Sequence, residues 1–330
     1  MKDSPIKTAP SGSPMRRDEL KSLRDENLAL RTDIERLRQG YANLRMEFKY
    51  DMRRYALPEQ RPQMLKDWYM ERMGGRRLDL EDPKTFSEKL QWIKLYDLDD
   101  LKSRLSDKYA VREWIKETIG EQYLIPLLAV YDSPEQIDYD SLPDKFVIKC
   151  NHGCEMNIIV DDKNKLDRNA VARQLLIWLN TTYGVFGFEL QYARIKPKII
   201  IEKKMENEGL ADLIDYKIYC FNGHARYIHI NTDRGTQNKI VFFDTNWVKQ
   251  SFRYNYPPVD REIEKPDNLD EMIATAERLA KDFKFVRVDL YRMNDGTIYF
   301  GEMTFTPMSG FYNWNEPDTD RKLGELLQLK

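Results

Sequence analysis

The sequence predicts an α+β chain in which helices come first and strands follow, preceded by a separate dimerising helix. Three observations predict it. A strict heptad runs from Leu20 to Phe48, helical spacing dominates residues 63–120, and from Lys145 onward apolar residues fall into short strand-like runs. At 330 residues the chain has about two domains' length, at roughly 150 residues each.

Residues 1–15 carry Pro5, Pro10, Ser11, Gly12, Ser13 and Pro14 and read as a disordered leader. In the next segment, 16–55, Leu20, Leu23, Asn27, Leu30, Ile34, Leu37, Tyr41, Leu44 and Phe48 alternate spacings of three and four, an a/d heptad with Leu at every d position. Asn27 falls at an a position, where a buried amide pair sets the register of a parallel dimer. Glu19, Glu26 and Asp33 occupy g positions and Arg24, Arg31 and Arg38 the following e positions, so these three g–e meetings between parallel partners all join acid to base. The alternative is one amphipathic helix packed on the chain's own core, which ordinarily has a wider apolar stripe. Nucleic-acid binding is disfavoured, because 11 basic and 8 acidic residues interleave from Arg16 to Arg54 and the whole chain has a net charge of −2. The segment is expected to pair two copies of the chain as a homodimer.

Pro58 and Pro62 mark the exit from this helix. Residues 56–140 are expected to form a mainly helical part, with Phe86, Leu90 and Ile93 inward in one helix and Val111, Trp114 and Ile115 in another. Residues 141–330 are expected to hold the strands: Lys145–Cys150, Ile158–Val160, Lys198–Ile201, Tyr216–Phe221, Ala225–Asn231 and Lys239–Phe243, then a helix over Asp267–Asp282. The longest apolar run, Leu124–Tyr131, is far below the ~20 residues of a membrane span, so no integral membrane segment is expected. A polar N-terminus without an apolar signal region, and three cysteines without metal-like spacing, fit a cytoplasmic location.

The most informative segment is FVRVDLYRMNDGTIYFGEMTFTP, residues 285–307. Asp295-Gly296 between two strand-like runs signals a two-residue hairpin loop. Residue 294 then faces 297, and continuing outward Asp289 faces Glu302 and Arg287 faces Thr304, all on one side of the sheet. Directly opposed carboxylates, with Cβ atoms ~4.5–5.5 Å apart, repel unless a cation lies between them. Two carboxylates with phosphate oxygens and water suit Mg²⁺ beside a nucleotide. The alternatives are a solvated sheet face or a different register. A second signal is KFVIKCNHGCEMNIIV, residues 145–160, where Lys149 ends a strand and Gly153 lies in the connection, a loop able to approach phosphates. Cys150, His152 and Cys154 lack the second ligand pair that a zinc site needs.

Asp107-Lys108, Lys149 with its glycine loop, Glu202, Asp215-Tyr216-Lys217, Arg287-Val288-Asp289 and Glu302-Met303-Thr304, in this order, resemble the ATP-grasp superfamily. The blocks FSEKLQWIKLYD, LSDKYAVREWI, FVIKCNHG, DYKIYCFNG and GEMTFTPMSG look like its TupA-like branch, named for teichuronopeptide synthesis. The likeness spans about Thr85 to Leu329 and implies an ATP-grasp fold, two lobes with antiparallel sheets clasping ATP, with ATP and Mg²⁺ as cofactors. By the same resemblance Lys108 and Lys149 hold the ATP phosphates under the loop of Gly153, Glu202 and Met205 receive adenine, and Asp215 lies near the ribose. Asp289 and Glu302 bind Mg²⁺, Arg287 steadies the transferred phosphoryl group, and Lys217 turns toward phosphate or acceptor. Thr304 departs from the asparagine ligand of most ATP-grasp enzymes.

The implied reaction activates a carboxylate as an acyl phosphate and joins it to an amine. The branch's link to bacterial surface polysaccharides suggests an amino acid added to a uronic acid or a peptide, at a membrane-bound polysaccharide assembly. Arg226, His229 and Arg234 are candidate anchors for an anionic glycan or peptide acceptor. The alternatives are a sugar kinase, a glycosyltransferase and a non-catalytic adaptor.

Overall fold

A computed structural model describes residues 17–185, 187–207, 214–232 and 238–330, and within the first helix only the backbone at 17–23, 29 and 42–50. The leader over 1–15 and Arg234 lie outside the described residues. The chain divides into two compact units, one ending at Tyr55 and the other spanning Ala56–Lys330. In the first unit, α1 (Arg17–Arg54) is one helix. Along it Asn27, Leu30, Ile34, Leu37 and Tyr41 are exposed. Among the described residues no helix is long and apolar enough to cross a membrane.

The second unit opens with α2 (Arg61–Arg72), α3 (Phe86–Tyr96), α4 (Asp100–Ser106) and α5 (Val111–Thr118). Thr85 starts α3 with a capping box: its hydroxyl accepts from Glu88 N at 3.2 Å, and the Glu88 carboxylate accepts from Thr85 N at 2.9 Å. Phe86, Leu90 and Ile93 then share the buried face, as their spacing predicts.

The chain continues through β1 (Leu127–Tyr131), β2 (Phe146–Cys150), β3 (Asn157–Val160), α6 (Arg168–Leu179), α7 (Leu190–Ala193) and β4 (Ile199–Lys203). The four strands form an antiparallel sheet in the order β1-β4-β2-β3. β1, the apolar run Leu127–Tyr131, lies within the mainly helical stretch expected over 56–140 yet pairs with β4. One face of this sheet buries Phe146, Ile148, Cys150, Ile199 and Ile201 against Val171 and Leu175 of α6.

The remaining elements are β5 (Asp215–Phe221), β6 (His224–Thr232), β7 (Lys239–Asp244), α8 (Leu269–Ala280), β8 (Phe285–Arg292), β9 (Ile298–Thr304) and α9 (Thr319–Leu326). The five strands form a second antiparallel sheet, β7-β6-β5-β8-β9. Ile218, Cys220, Ile228, Val286 and Val288 on one face pack against Met272, Ala276 and Leu279 of α8 and Val111 and Ile115 of α5. The opposite face is divided. At one end Tyr219, Phe221, Phe242 and Phe285 pack against Phe86 and Leu90 of α3 and Leu323 of α9. At the other end the same face carries charge.

Candidate active site

The charged end begins with the hairpin of β8 and β9, which differs from the expected two-residue loop. Met293 N donates to Thr297 O at 2.8 Å, leaving a three-residue loop, 294–296, with Gly296 at φ 89°. Glycine adopts that left-handed backbone without a Cβ clash. Arg292 therefore pairs with Ile298 and Leu290 with Phe300, one step away from the expected register. A bulge at Gly301 restores it, so Asp289 faces Glu302 and Arg287 faces Thr304. Gly301 suits the bulge because a Cβ there would lie 3.0 Å from Asp289 O.

Lys217 of β5 pairs with Asp289, so Lys217, Asp289 and Glu302 form a row across three strands. Lys217 Nζ donates to Asp289 Oδ2 at 2.6 Å and also bonds Asp215. Arg287 grips Asp289 through Nε at 2.6 Å and Nη2 at 2.7 Å, and its Nη2 reaches Glu302 Oε1 at 2.9 Å and Thr304 Oγ1 at 3.0 Å. Asp289 is 2% exposed. Burial pushes its carboxyl up, against the pull of Arg287 and Lys217. Burial acts on Glu302 in the same direction, but Lys108, Arg287 and Lys217 outweigh it and hold that carboxyl below its ordinary range. The structure groups Asp215 with Lys217 and Asp289.

A second cluster lies on the four-stranded sheet. Val147 faces Glu202, which makes Lys149 a diagonal neighbour of Glu202 on the face away from the core. Lys149 Nζ donates to Glu202 Oε2 at 2.7 Å, while Arg112 of α5 takes Oε1 at 2.9 Å and Ile125 O at 2.8 Å. Met205 is half-buried in the segment 204–207 that follows β4.

Lys108 touches both regions. Its Nζ donates to Gly153 O at 2.6 Å and lies 3.8 Å from Glu302 Oε2. Fully buried Asn151 places it: Asn151 O accepts from Lys108 N, its amide donates to Asp107 Oδ1 at 2.9 Å, and its side-chain oxygen accepts from Lys198 N at 2.7 Å. At Gly153 a Cβ would meet Met156 Sδ at 2.8 Å, so the loop closes tightly there.

Asn151 and Arg112 were not singled out from the sequence, and neither was Glu189, whose Oε1 accepts from Thr306 Oγ1 at 2.6 Å just beyond β9. Arg112 stands 90 residues from Glu202 and Glu189 stands 117 from Thr306, so no local pattern could reveal either contact. Of the candidate acceptor anchors, Arg226 is exposed. His229 is 1% exposed, stacked 4.6 Å from Phe242 and edged by Tyr254, so it is part of the aromatic core and cannot meet a ligand from solvent.

Asp289, Glu302 and Thr304 supply hard oxygen donors with two negative charges, and Glu302 Oε2 accepts no hydrogen bond from the described residues. That set fits Mg²⁺, which completes its shell with phosphate oxygens and water. Among the described residues no three His, Cys, Asp or Glu side chains converge as a metal cage. Cys150 is pushed up to about 12 by burial, and His152 is pushed down by burial with its Nε2 3.1 Å from Trp178 O.

Several solved structures are similar in part. D-alanine–D-alanine ligase from Bacillus anthracis is 19% identical with a TM-score of 0.36, over 61% of this chain and 57% of that one. An N5-carboxyaminoimidazole ribonucleotide synthetase bound to ADP is 14% identical with a TM-score of 0.41, over 67% and 51%. The ATP-grasp ligase PsnB, solved with Mg and ADP, is 12% identical with a TM-score of 0.36, over 67% and 57%. The chain thus spans little more than half the length of these proteins. No curated protein matches its sequence. Among known protein families, the TupA-like ATP-grasp family matches residues 88–328. ATP-grasp enzymes use ATP and Mg²⁺. The two antiparallel sheets therefore constitute an ATP-grasp fold, and the chain belongs to the TupA-like ATP-grasp family.

Proposed function

We propose that the chain is an ATP- and Mg²⁺-dependent ligase that activates a carboxylate as an acyl phosphate and joins it to an amine. The observation that carries this reading is the opposed pair Asp289–Glu302, sharing its sheet face with Arg287 and Lys217. In this reading Asp289, Glu302 and Thr304 hold Mg²⁺, which when bound neutralises phosphate charge. Lys108 and Lys149 bind the phosphates, Gly153 closes over them and excludes water, and Glu202 with the Met205 backbone receives adenine. Asp215 holds Lys217, which also bonds Asp289; in this reading Asp215 lies near the ribose and Lys217 turns toward phosphate or acceptor. Arg287 stabilises the charge that develops on the phosphoryl group in flight.

The acceptor is proposed to be a uronic acid or peptide carboxylate of a bacterial surface polysaccharide, and the amine an amino acid. Incubation with ATP, Mg²⁺, glucuronate, galacturonate or short peptides, and hydroxylamine tests this. ADP and a hydroxamate are expected; a phosphorylated sugar without hydroxamate would instead make the protein a kinase. The proposed setting is the cytoplasm, beside a membrane-bound polysaccharide assembly.

The proposal extends to a parallel homodimer through α1. Its a/d residues Leu30, Ile34, Leu37 and Tyr41 are 47–73% exposed, with Glu26 and Asp33 placed to meet Arg31 and Arg38 of a second copy. Light scattering should report a dimer that becomes a monomer when residues 1–55 are removed; a monomeric full-length chain refutes it.

A further inference from the structure

A single nitrogen touches every group assigned above to the cation. Arg287 Nη2 lies 2.7 Å from Asp289 Oδ2, 2.9 Å from Glu302 Oε1 and 3.0 Å from Thr304 Oγ1. Its two protons serve three oxygens, so the arrangement is that of a positive centre inside an oxygen set rather than one donor with one acceptor. Among the described residues nothing else bonds both carboxylates: of the two, Lys217 reaches Asp289 alone, and Lys108 stays 3.8 Å from Glu302. The Arg287 and Asp289 side chains are 11% and 2% exposed and that of Glu302 30%, so two opposed carboxylates, one of them fully enclosed, would be disfavoured without a cation between them.

We infer that Arg287 is a positioning residue as well as a phosphoryl-stabilising one: its guanidinium occupies the cation's place and holds Asp289, Glu302 and Thr304 ready. The inference rests on assigning those oxygens to Mg²⁺ under Proposed function. A cation held by these oxygens would compete with the guanidinium for them and leave Arg287 free toward the phosphoryl group. The transition-state arginine thereby becomes available only in the metal-loaded site. A second consequence is that free metal binds the nucleotide-free chain weakly, because an established ion pair must be broken first.

The test is Mn²⁺ binding to the full chain without nucleotide, followed by electron paramagnetic resonance, together with thermal melting in EDTA and in Mn²⁺. Arg287→Met should melt below the wild type in EDTA, gain more from Mn²⁺, and bind Mn²⁺ about tenfold tighter. Arg287→Lys keeps a cation but loses the two-point grip of Nε and Nη2 on Asp289, so it should show the same changes to a smaller degree. It serves alone if Arg287→Met does not fold. Mn²⁺ binding by the wild type with ATP, but no gain in affinity in either variant, overturns the inference and leaves the cation assignment standing. Absence of Mn²⁺ binding in all three proteins, with or without ATP, removes both.

Discussion

The two charged clusters use the same residue types in opposite proportion. On the four-stranded sheet one carboxylate, Glu202, is shared by two cations, Lys149 and Arg112. On the five-stranded sheet three carboxylates, Asp215, Asp289 and Glu302, hydrogen-bond to two cations, Lys217 and Arg287, and a third, Lys108, stands 3.8 Å from Glu302. The first cluster has positive charge to spare, whereas the second is balanced only when the more distant Lys108 is counted, and both are largely removed from water, where an uncompensated charge is costly. Surplus lysine charge suits a phosphate, and carboxylates that outnumber their hydrogen-bonded cations suit a divalent metal. The proportion of charge within each cluster, rather than residue identity, distinguishes the two, and Lys108, bonded to Gly153 O beside one, lies 3.8 Å from Glu302 of the other.

The largest effect expected from breaking this contrast is at Asp289. Asp289→Asn should lower ATP turnover by about 10²–10³ or more, as loss of a main electrostatic group does. The same change should cost about 3–5 kcal/mol of stability, because Arg287 and Lys217 lose a buried partner. An ADP-release assay and a denaturant melt check both, and undiminished turnover would end the metal assignment. Next is Lys149→Ala, which should weaken ATP binding by about 10-fold or more while leaving Mn²⁺ binding nearly unchanged. Calorimetry with each ligand decides; a matching loss of Mn²⁺ would show the clusters are not separate in function.

A smaller effect sharpens the first cluster alone. Arg112→Ala and Glu202→Gln, singly and together, should show a coupling of about 0.5–3 kcal/mol in unfolding, because the two side chains bond directly. Strict additivity would mean that Arg112 does not set Glu202. The smallest effect concerns pH. Glu302 has a folded pKa below its unfolded value, so its stabilisation is complete above the ordinary glutamate range and is lost as pH falls through the lowered pKa. Glu302→Gln should therefore flatten the dependence of melting temperature on pH below about 4.3, the unperturbed glutamate value. An unchanged slope would show that Lys108 and the row partners do not act on it.

Much of this site was legible in the sequence, in one case for a partly mistaken reason. Counting outward from Asp295-Gly296 opposed Asp289 to Glu302, yet the loop holds three residues, not two. The bulge at Gly301 adds the missing residue on the other strand, and the two departures offset. Alternation then places Arg287 and Thr304 on the same face. His229 illustrates the converse: alternation puts it in the row of Lys217 and Asp289, but Phe242 of β7 stacks on it and Tyr219 and Tyr254 edge it, so it is enclosed there.

By itself the sequence determined whatever depends on neighbours along the chain. These are the heptad of α1, the capping box and apolar face of α3, the alternation of the strands and the glycine needed for a left-handed turn. Each follows from backbone periodicity or local sterics, which a few residues encode. Only the tertiary structure decided what depends on distant segments meeting: the strand order that lines up Lys217, Asp289 and Glu302, the reach of Arg112 to Glu202, and the buried Asn151 that places Lys108. Those contacts are selected by packing and by the cost of leaving buried polar groups unpaired, and neither has a period that a sequence displays.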